Sequence, residues 1–299
     1  MHLDEVGGSI ALVAHDAGAA NLILAWHEKW TNCDIRFSLT GPAKKLWSNI
    51  QSGSNNLSIK EALTDADILI SGTSYMSLAE HEARSLAVDK GIYSIAVLDH
   101  WVNYSSRFVR QNTKIMPNEL WVTDIEAMKI AQQCFYNTPV FEQHNTYLEN
   151  MVDRIHQINR SEDISTTRIL YVLEPIRHTW ADQLAPGEFQ ALEYFFENIS
   201  VLEIVGNIEI VLRPHPSDIA DKYEAWLRLK TKWDIKLDNH NPLETAIAQA
   251  DIVIGCETYA LVVAAASNKK VFSSLPPHAP SCRLKVKKIK HLRDLVEIA

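Results

Sequence analysis

Acids, bases and hydroxyls recur in this chain directly after short apolar runs. His15, Asp16 and Gly18 follow residues 10–14, and Gly72, Thr73 and Ser74 follow residues 68–71. Asp99, His100, Trp101 and Asn103 follow residues 93–98, and Glu174, Pro175 and Arg177 follow residues 169–173. Arg213 and His215 follow residues 208–212, and Glu257 and Thr258 follow residues 252–255. A carboxylate or imidazole at such an end can take a proton from a hydroxyl nucleophile. An arginine and a histidine beside a helix start can hold an anion such as a phosphate.

Each residue has a chemical and a plainer reading. Asp16 is the first choice for a base, with His15 and Asp99 in reserve; equally, aspartate is well suited to cap the helix that follows. Gly18 and the neighbouring alanines permit close approach of a ligand to the backbone. In "VLRPHPSD", residues 211–218, two prolines stiffen a turn that carries Arg213 and His215 towards an expected helix at 220–230, with Asp218 as its cap. That turn suits a phosphate, or is a proline turn with a solvated arginine. In "ADIVIGCETYALVVAAAS", residues 250–267, Thr258 can cap a small-residue helix whose N–H groups bind phosphate. Glu257 can accept two ribose or sugar hydroxyls, or be a first-turn acid favoured by the helix dipole. In "VLDHWVNYSSRF", residues 97–108, His100 and Asn103 are polar groups at a strand end, Trp101 is a sugar platform or a core residue, and Arg107 can pair with a phosphate.

The elements that must position these groups read as β-α-β-α throughout. Nearly continuous apolar runs at 10–14, 35–39, 68–71, 93–98, 120–123, 169–173, 208–212, 252–255 and 270–273 suit parallel strands buried on both faces. Helix-period stretches separate them, at 19–30, 77–90, 124–134, 187–199, 220–230, 242–250 and 259–267. The expected fold class is α/β, with two Rossmann-like doubly wound parallel-sheet domains facing a cleft. Ligands of open α/β sheets bind at the carboxyl ends of the strands, which is where the polar residues collect. The polar stretch "RSEDISTT" sets the expected domains at 1–155 and 165–299.

The 299 residues are 46% hydrophobic and 22% charged, a globular composition with net charge -8, which does not suggest a nucleic-acid partner. Cys33, Cys134, Cys256 and Cys282 are scattered without a zinc or disulfide spacing, which fits reduced thiols and a cytoplasmic setting. No apolar run approaches the ~18 residues needed to span a bilayer. No H-E-x-x-H or post-strand D-x-D marks a metal site. A basic stripe at 283–293 is a solvated face or a peripheral contact with anionic lipid or a lipid-diphosphate acceptor.

A strand ending in "RPHP", a helix, then "ADIVIG" and a small-residue helix resemble the C-terminal half of GT-B-fold glycosyltransferases. The likeness is nearest to bacterial capsule and surface-polysaccharide enzymes, including sialyltransferases and glycerophosphotransferases with a His-Pro motif, and UDP-sugar 2-epimerases are similar in fold. The resemblance implies that 165–299 holds the donor, with His215 and Arg213 at its phosphate, Thr258 beside it and Glu257 on the ribose. The chain departs from the pattern at Cys256-Glu257 and lacks a later acid in the following helix. Residues 1–155 would be the acceptor side. The implied activity is metal-independent transfer of a sugar, or a phosphosugar such as phosphoribosyl, from a nucleotide sugar or phosphoribosyl diphosphate to a glycan or lipid-linked acceptor. No cofactor is expected. The alternatives are a sugar-nucleotide epimerase or hydrolase, and a non-catalytic sugar- or nucleotide-binding protein on the same fold.

Overall fold

Two parallel six-stranded sheets organise the chain, and a computed structural model describes them through residues 1–50, 55–160, 165–181 and 183–298. The chain divides into two compact units, Met1–Tyr147 and Leu148–Ala299. The division falls inside a helix, before the polar stretch expected to mark it; residues 161–164 of that stretch lie outside the described residues.

The first unit runs β1 (Ser9–Ala14), α1 (Ala17–His27), β2 (Asp34–Leu39), α2 (Gly41–Ile50), α3 (Ile59–Ala62), β3 (Ile68–Ser71), α4 (Ala79–Lys90) and β4 (Tyr93–Val97). A hairpin of β5 (Val109–Arg110) and β6 (Thr113–Lys114) follows, then β7 (Glu119–Val122), α5 (Ile125–Cys134), β8 (Val140–Glu142) and α6 (Thr146–Gln157), which crosses into the second unit. The sheet order is β2-β1-β3-β4-β7-β8, every pair parallel. β1 shows why an unbroken apolar run is needed here. Ile10, Leu12 and Ala14 enter a core with Trp26, Trp30 and Trp121, while Ala11 and Val13 pack on the other face against Leu63, Leu69 and Ala83.

The second unit runs β9 (Thr166–Val172), α7 (Gly187–Asn198), β10 (Asn207–Arg213), α8 (Glu224–Leu227), β11 (Asp234–Leu237), α9 (Leu243–Gln249), β12 (Ile252–Gly255), α10 (Tyr259–Ala266), β13 (Lys270–Ser273), β14 (Ile289–His291) and α11 (Leu292–Ile298). Its sheet order is β11-β10-β9-β12-β13-β14, again wholly parallel. Ile169 pairs in register with both Ile210 and Ile252, and all four residues of β12 are buried.

The fold is therefore α/β, with two Rossmann-like doubly wound units. One expected element is corrected. The helix over 220–230 shrinks to α8, because Asp218 does not cap it. Its carboxylate instead takes the Lys222 ammonium at 2.6 Å and the Tyr223 hydroxyl at 3.1 Å, which holds the intervening chain in turns. The loop bearing His215 therefore leads into turns and not directly into a helix start.

Candidate active site

In each unit the strand order reverses once, and such a switch point opens a crevice at the carboxyl ends of the two strands beside it. In the first unit these strands are β1 and β3; in the second they are β9 and β12.

At the first switch point, Asp16 occupies the N-cap position of α1 with extended backbone, yet its side chain accepts no cap hydrogen bond. Its neighbours are more committed. The His15 ring Nδ1 is 2.8 Å from Thr40 Oγ1, and the ring lies against Gly41, whose φ of +50 and lack of a side chain make room for it. Asp99 accepts from Arg107 Nη1 at 2.6 Å, and the same nitrogen donates to Thr73 Oγ1 at 2.8 Å. Arg107 is thus an ion-pair partner that ties the β4 end to the β3 end. Gly18 sits beneath Asp99: a Cβ there would lie 1.8 Å from Asp99 Oδ2. A carboxylate, not space for a phosphate, covers Gly18.

Glu80, in the first turn of α4, carries a role that the sequence reading missed. It is 1% exposed, and its Oε1 accepts the His15 N–H at 2.9 Å, so it fixes the backbone that carries Asp16. Its other oxygen has no hydrogen-bond partner among the described residues. Burial raises its pKa and the charge of Asp16 adds to the rise, against the His15 N–H and Arg84. Nothing in "LAEHEARS" distinguishes this acid from its exposed neighbour Glu82; only the packed structure does.

The remaining acceptor-side candidates are structural in their contacts. Trp101 donates its indole N–H to Asp124 at 3.0 Å, and that carboxylate also caps α5. The His100 Nδ1 accepts the Trp101 N–H at 2.9 Å. Asn103 is exposed in a left-handed turn, φ +59, a conformation that asparagine tolerates.

The second switch point is finished differently. Thr258 caps α10, accepting the Ala260 N–H at 3.3 Å. The Glu174 carboxylate accepts the Glu257 N–H at 2.6 Å and also faces the Thr258 N–H. Burial raises the Glu174 pKa to about 7, helped by the charge of Glu257 and opposed by the two N–H groups and Arg283. Glu257 itself is gripped by Arg283 through Nε at 2.9 Å and through Nη2, with the Arg283 N–H donating at 3.0 Å. The slot expected to take phosphate, and the acid expected to take ribose, already have partners from the chain. Glu174 was visible in the sequence as an acid directly after a buried strand.

The cationic groups of the second unit expected at a phosphate, Arg213, His215 and Arg177, collect near the β10 end. Arg213 donates to buried Asp238 at 2.9 Å and so joins β10 to β11. His215 and Arg177 meet over Ser217: the ring Nδ1 accepts the Ser217 N–H at 3.2 Å, and Arg177 Nη2 lies 3.4 Å from the Ser217 carbonyl. Desolvation lowers the His215 pKa, with Lys222 and Arg177 pushing the same way against Asp218. A neutral ring that accepts at Nδ1 keeps its proton on Nε2, where it can donate to an anion. Among the described residues no three His, Cys, Asp or Glu side chains gather as a metal site. No described helix is long and apolar enough to cross a membrane. In the 283–293 stripe, Arg283 is held by Glu257 and Lys288 donates to Asn268 at 2.9 Å, while Lys285, Lys287 and Lys290 are exposed.

No family model matches the chain, and no curated protein matches it. Among solved structures, a UDP-N-acetylglucosamine 2-epimerase candidate from Listeria monocytogenes superposes with a TM-score of 0.62 at 12% identity, covering 98% of this chain and 87% of that one. That likeness shows the fold. A glycotransferase of kitacinnamycin matches at TM-score 0.48 and 12% identity, covering 90% of this chain and 80% of that one. The wall teichoic acid polymerase TagF matches at 0.42 and 10%, covering 88% and 69%.

Proposed function

We propose that the chain is a glycosyltransferase that moves a sugar or phosphosugar from a phosphate-activated donor to a hydroxyl of a growing surface glycan. The observation that carries this reading is Asp16. It stands at a switch point, at the start of an eleven-residue helix, with a carboxylate that makes no cap hydrogen bond and pairs with no cation among the described residues. A structural aspartate at an N-cap accepts a backbone N–H; this one is left able to accept an acceptor hydroxyl's proton. Asp99 and His15 are bound to Arg107 and Thr40, which favours Asp16 over both as the base.

In this reading the first unit takes the acceptor and the second the donor. His215, through Nε2–H, and the exposed Arg177 guanidinium receive the leaving phosphate, and Arg213 keeps the β10 end in place. Donor phosphates at the start of α10 would have to displace Glu174, so the His215 and Arg177 pair is the better phosphate site.

The test is a thermal-shift screen of nucleotide sugars, nucleotides and phosphoribosyl diphosphate at saturating concentration. One donor should raise the Tm, and Arg177→Ala with His215→Ala should abolish the rise. No stabilisation by any of them overturns the reading. Consumption of the donor with no acceptor present, at the rate seen with one, moves the chain to an epimerase or hydrolase.

A further inference from the structure

The second unit has a cavity at the edge of its sheet opposite the carboxyl strand ends. Thr167 of β9, Ile252 of β12 and Lys270 of β13 line it, each the first or second residue of its strand. It therefore opens at the amino ends, away from His215 and Arg177. It encloses about 530 Å³, within the range of small-ligand sites. One wall is apolar. Phe272 belongs to the core of this unit, and Leu202, Ile204 and Leu295 pack against that core where they line the cavity. The other wall is basic. β13 and β14 pair in parallel with Phe272 opposite Lys290, so these two side chains share a face of the sheet. Lys270 stands two residues before Phe272 and Lys288 two before Lys290, and all four line the cavity.

The charges of the lining do not cancel. Lys288 donates to the neutral amide oxygen of Asn268 at 2.9 Å, and none of the three lysines pairs with a carboxylate among the described residues. Two acids reach the cavity. Asp251 is taken already, by Arg160 Nη2 at 2.5 Å and by the Arg168 N–H at 3.0 Å. Glu203, in a left-handed turn at φ +49, offsets one lysine. Positive charge is left over beside an apolar wall, and the lining selects for both. A phosphate monoester brings about two negative charges at neutral pH and three acceptor oxygens for the ammonium groups. Inorganic phosphate leaves the apolar wall in contact with water. A neutral or cationic apolar molecule leaves the lysines unanswered.

We propose that this cavity binds an amphipathic anion, a phosphate monoester on an alkyl chain. The phosphate lies on Lys270, Lys288 and Lys290, and the chain lies against Phe272, Leu202 and Leu295. The proposal does not depend on the glycosyl-transfer reading. Calorimetric titration of the full chain with octyl phosphate, below its micelle concentration, should show one site. Inorganic phosphate and octyltrimethylammonium, which keep the charge or the chain alone, should each bind at least about tenfold more weakly. Lys270→Gln with Lys290→Gln should weaken octyl phosphate at least about tenfold with the Tm unchanged. Lys288→Gln alone, outside both strands, should give a smaller loss. Lys285→Gln with Lys287→Gln changes the same basic stripe outside the cavity and should leave binding as it is.

No binding of octyl phosphate, or equal binding of either partial probe, overturns the proposal. So does binding that Lys285→Gln with Lys287→Gln weakens as much as the cavity variant does, because the stripe then acts as a diffuse charge. Binding lost in Arg177→Ala with His215→Ala and kept in the cavity variant would put the phosphate at the β10 end and empty this site. Vesicles of phosphatidylglycerol give the last arm. If they sediment the chain through Lys285 and Lys287 as much as through Lys270 and Lys290, the lysines are a membrane face and the cavity proposal fails. A chain that binds octyl phosphate and stays in solution with the vesicles supports a site for a free amphiphile.

Discussion

Two helices begin at the two switch points, α1 in the first unit and α10 in the second, and they are finished in opposite ways. The start of α10 is closed: Thr258 caps it, Glu174 sits on its N–H groups, and Glu257 is clamped by Arg283. The start of α1 is open: Asp16 holds the cap position without capping, and Asp99 and Glu80 are nearby. The same architectural position is a completed anion site in one unit and an uncompensated acid in the other. Topology alone fixes where a ligand can come; the residue at the helix start decides what kind.

The largest expected effect follows from the open side. Asp16→Asn should lower the transfer rate roughly a hundred- to ten-thousand-fold, the range for removing a general base, with the urea midpoint unchanged. Equal turnover in the variant would make both helix starts structural and erase the contrast.

The closed side predicts a pH dependence. Glu174 titrates in the folded chain near 7, above the ordinary carboxylate value of 4.5, so the folded state holds this proton more tightly. Its contribution to stability is fully present below about pH 4.5 and is lost as pH rises through 7, a change of about 3 kcal/mol. The raised pKa of Glu80 acts with the same sign. Urea midpoints at pH 5.5 and pH 8 should therefore fall more for the natural chain than for Glu174→Gln. An identical fall in both would mean that Glu174 is not the group that binds this proton in the folded chain.

A smaller effect probes how the open side is kept open. Gly18→Ala places a methyl 1.8 Å from Asp99 Oδ2, and Asp99 is held by Arg107. Either the ion pair or the helix must shift, at about 1–3 kcal/mol. A variant as stable as the parent would show Asp99 free to move.

How much of this was legible in the sequence depends on burial. The strands read as apolar runs all occur, because a parallel strand covered on both faces must be apolar throughout. Of the missed strands, β5 and β6 form a short hairpin of their own, and β8, β11 and β14 each end a six-stranded sheet, where one side is unpaired and residues such as Lys236 and Lys290 are tolerated. The polar residues after the strands were also legible, since a loop's chemistry is local. Their partners were not. That Arg107 closes on Asp99 and Arg283 on Glu257 depends on contacts between distant segments, which periodicity does not carry. Glu80 was hidden for the same reason: which face of α4 is buried is set by the sheet beneath it.

The smallest expected effect is the most direct test of the contrast. Thr258→Ala removes a cap that is made, and should cost about 1 kcal/mol of stability. Asp16→Ala removes a side chain at the equivalent position that makes no cap bond. It forfeits an attraction to the dipole of α1, but it also relieves the charge that Asp16 places on Glu80. The two terms oppose, so the midpoint should move by less than about 0.5 kcal/mol. If Asp16→Ala costs as much as Thr258→Ala, the Asp16 carboxylate caps α1 in solution, and the acid that carries the catalytic reading is engaged in holding its own helix.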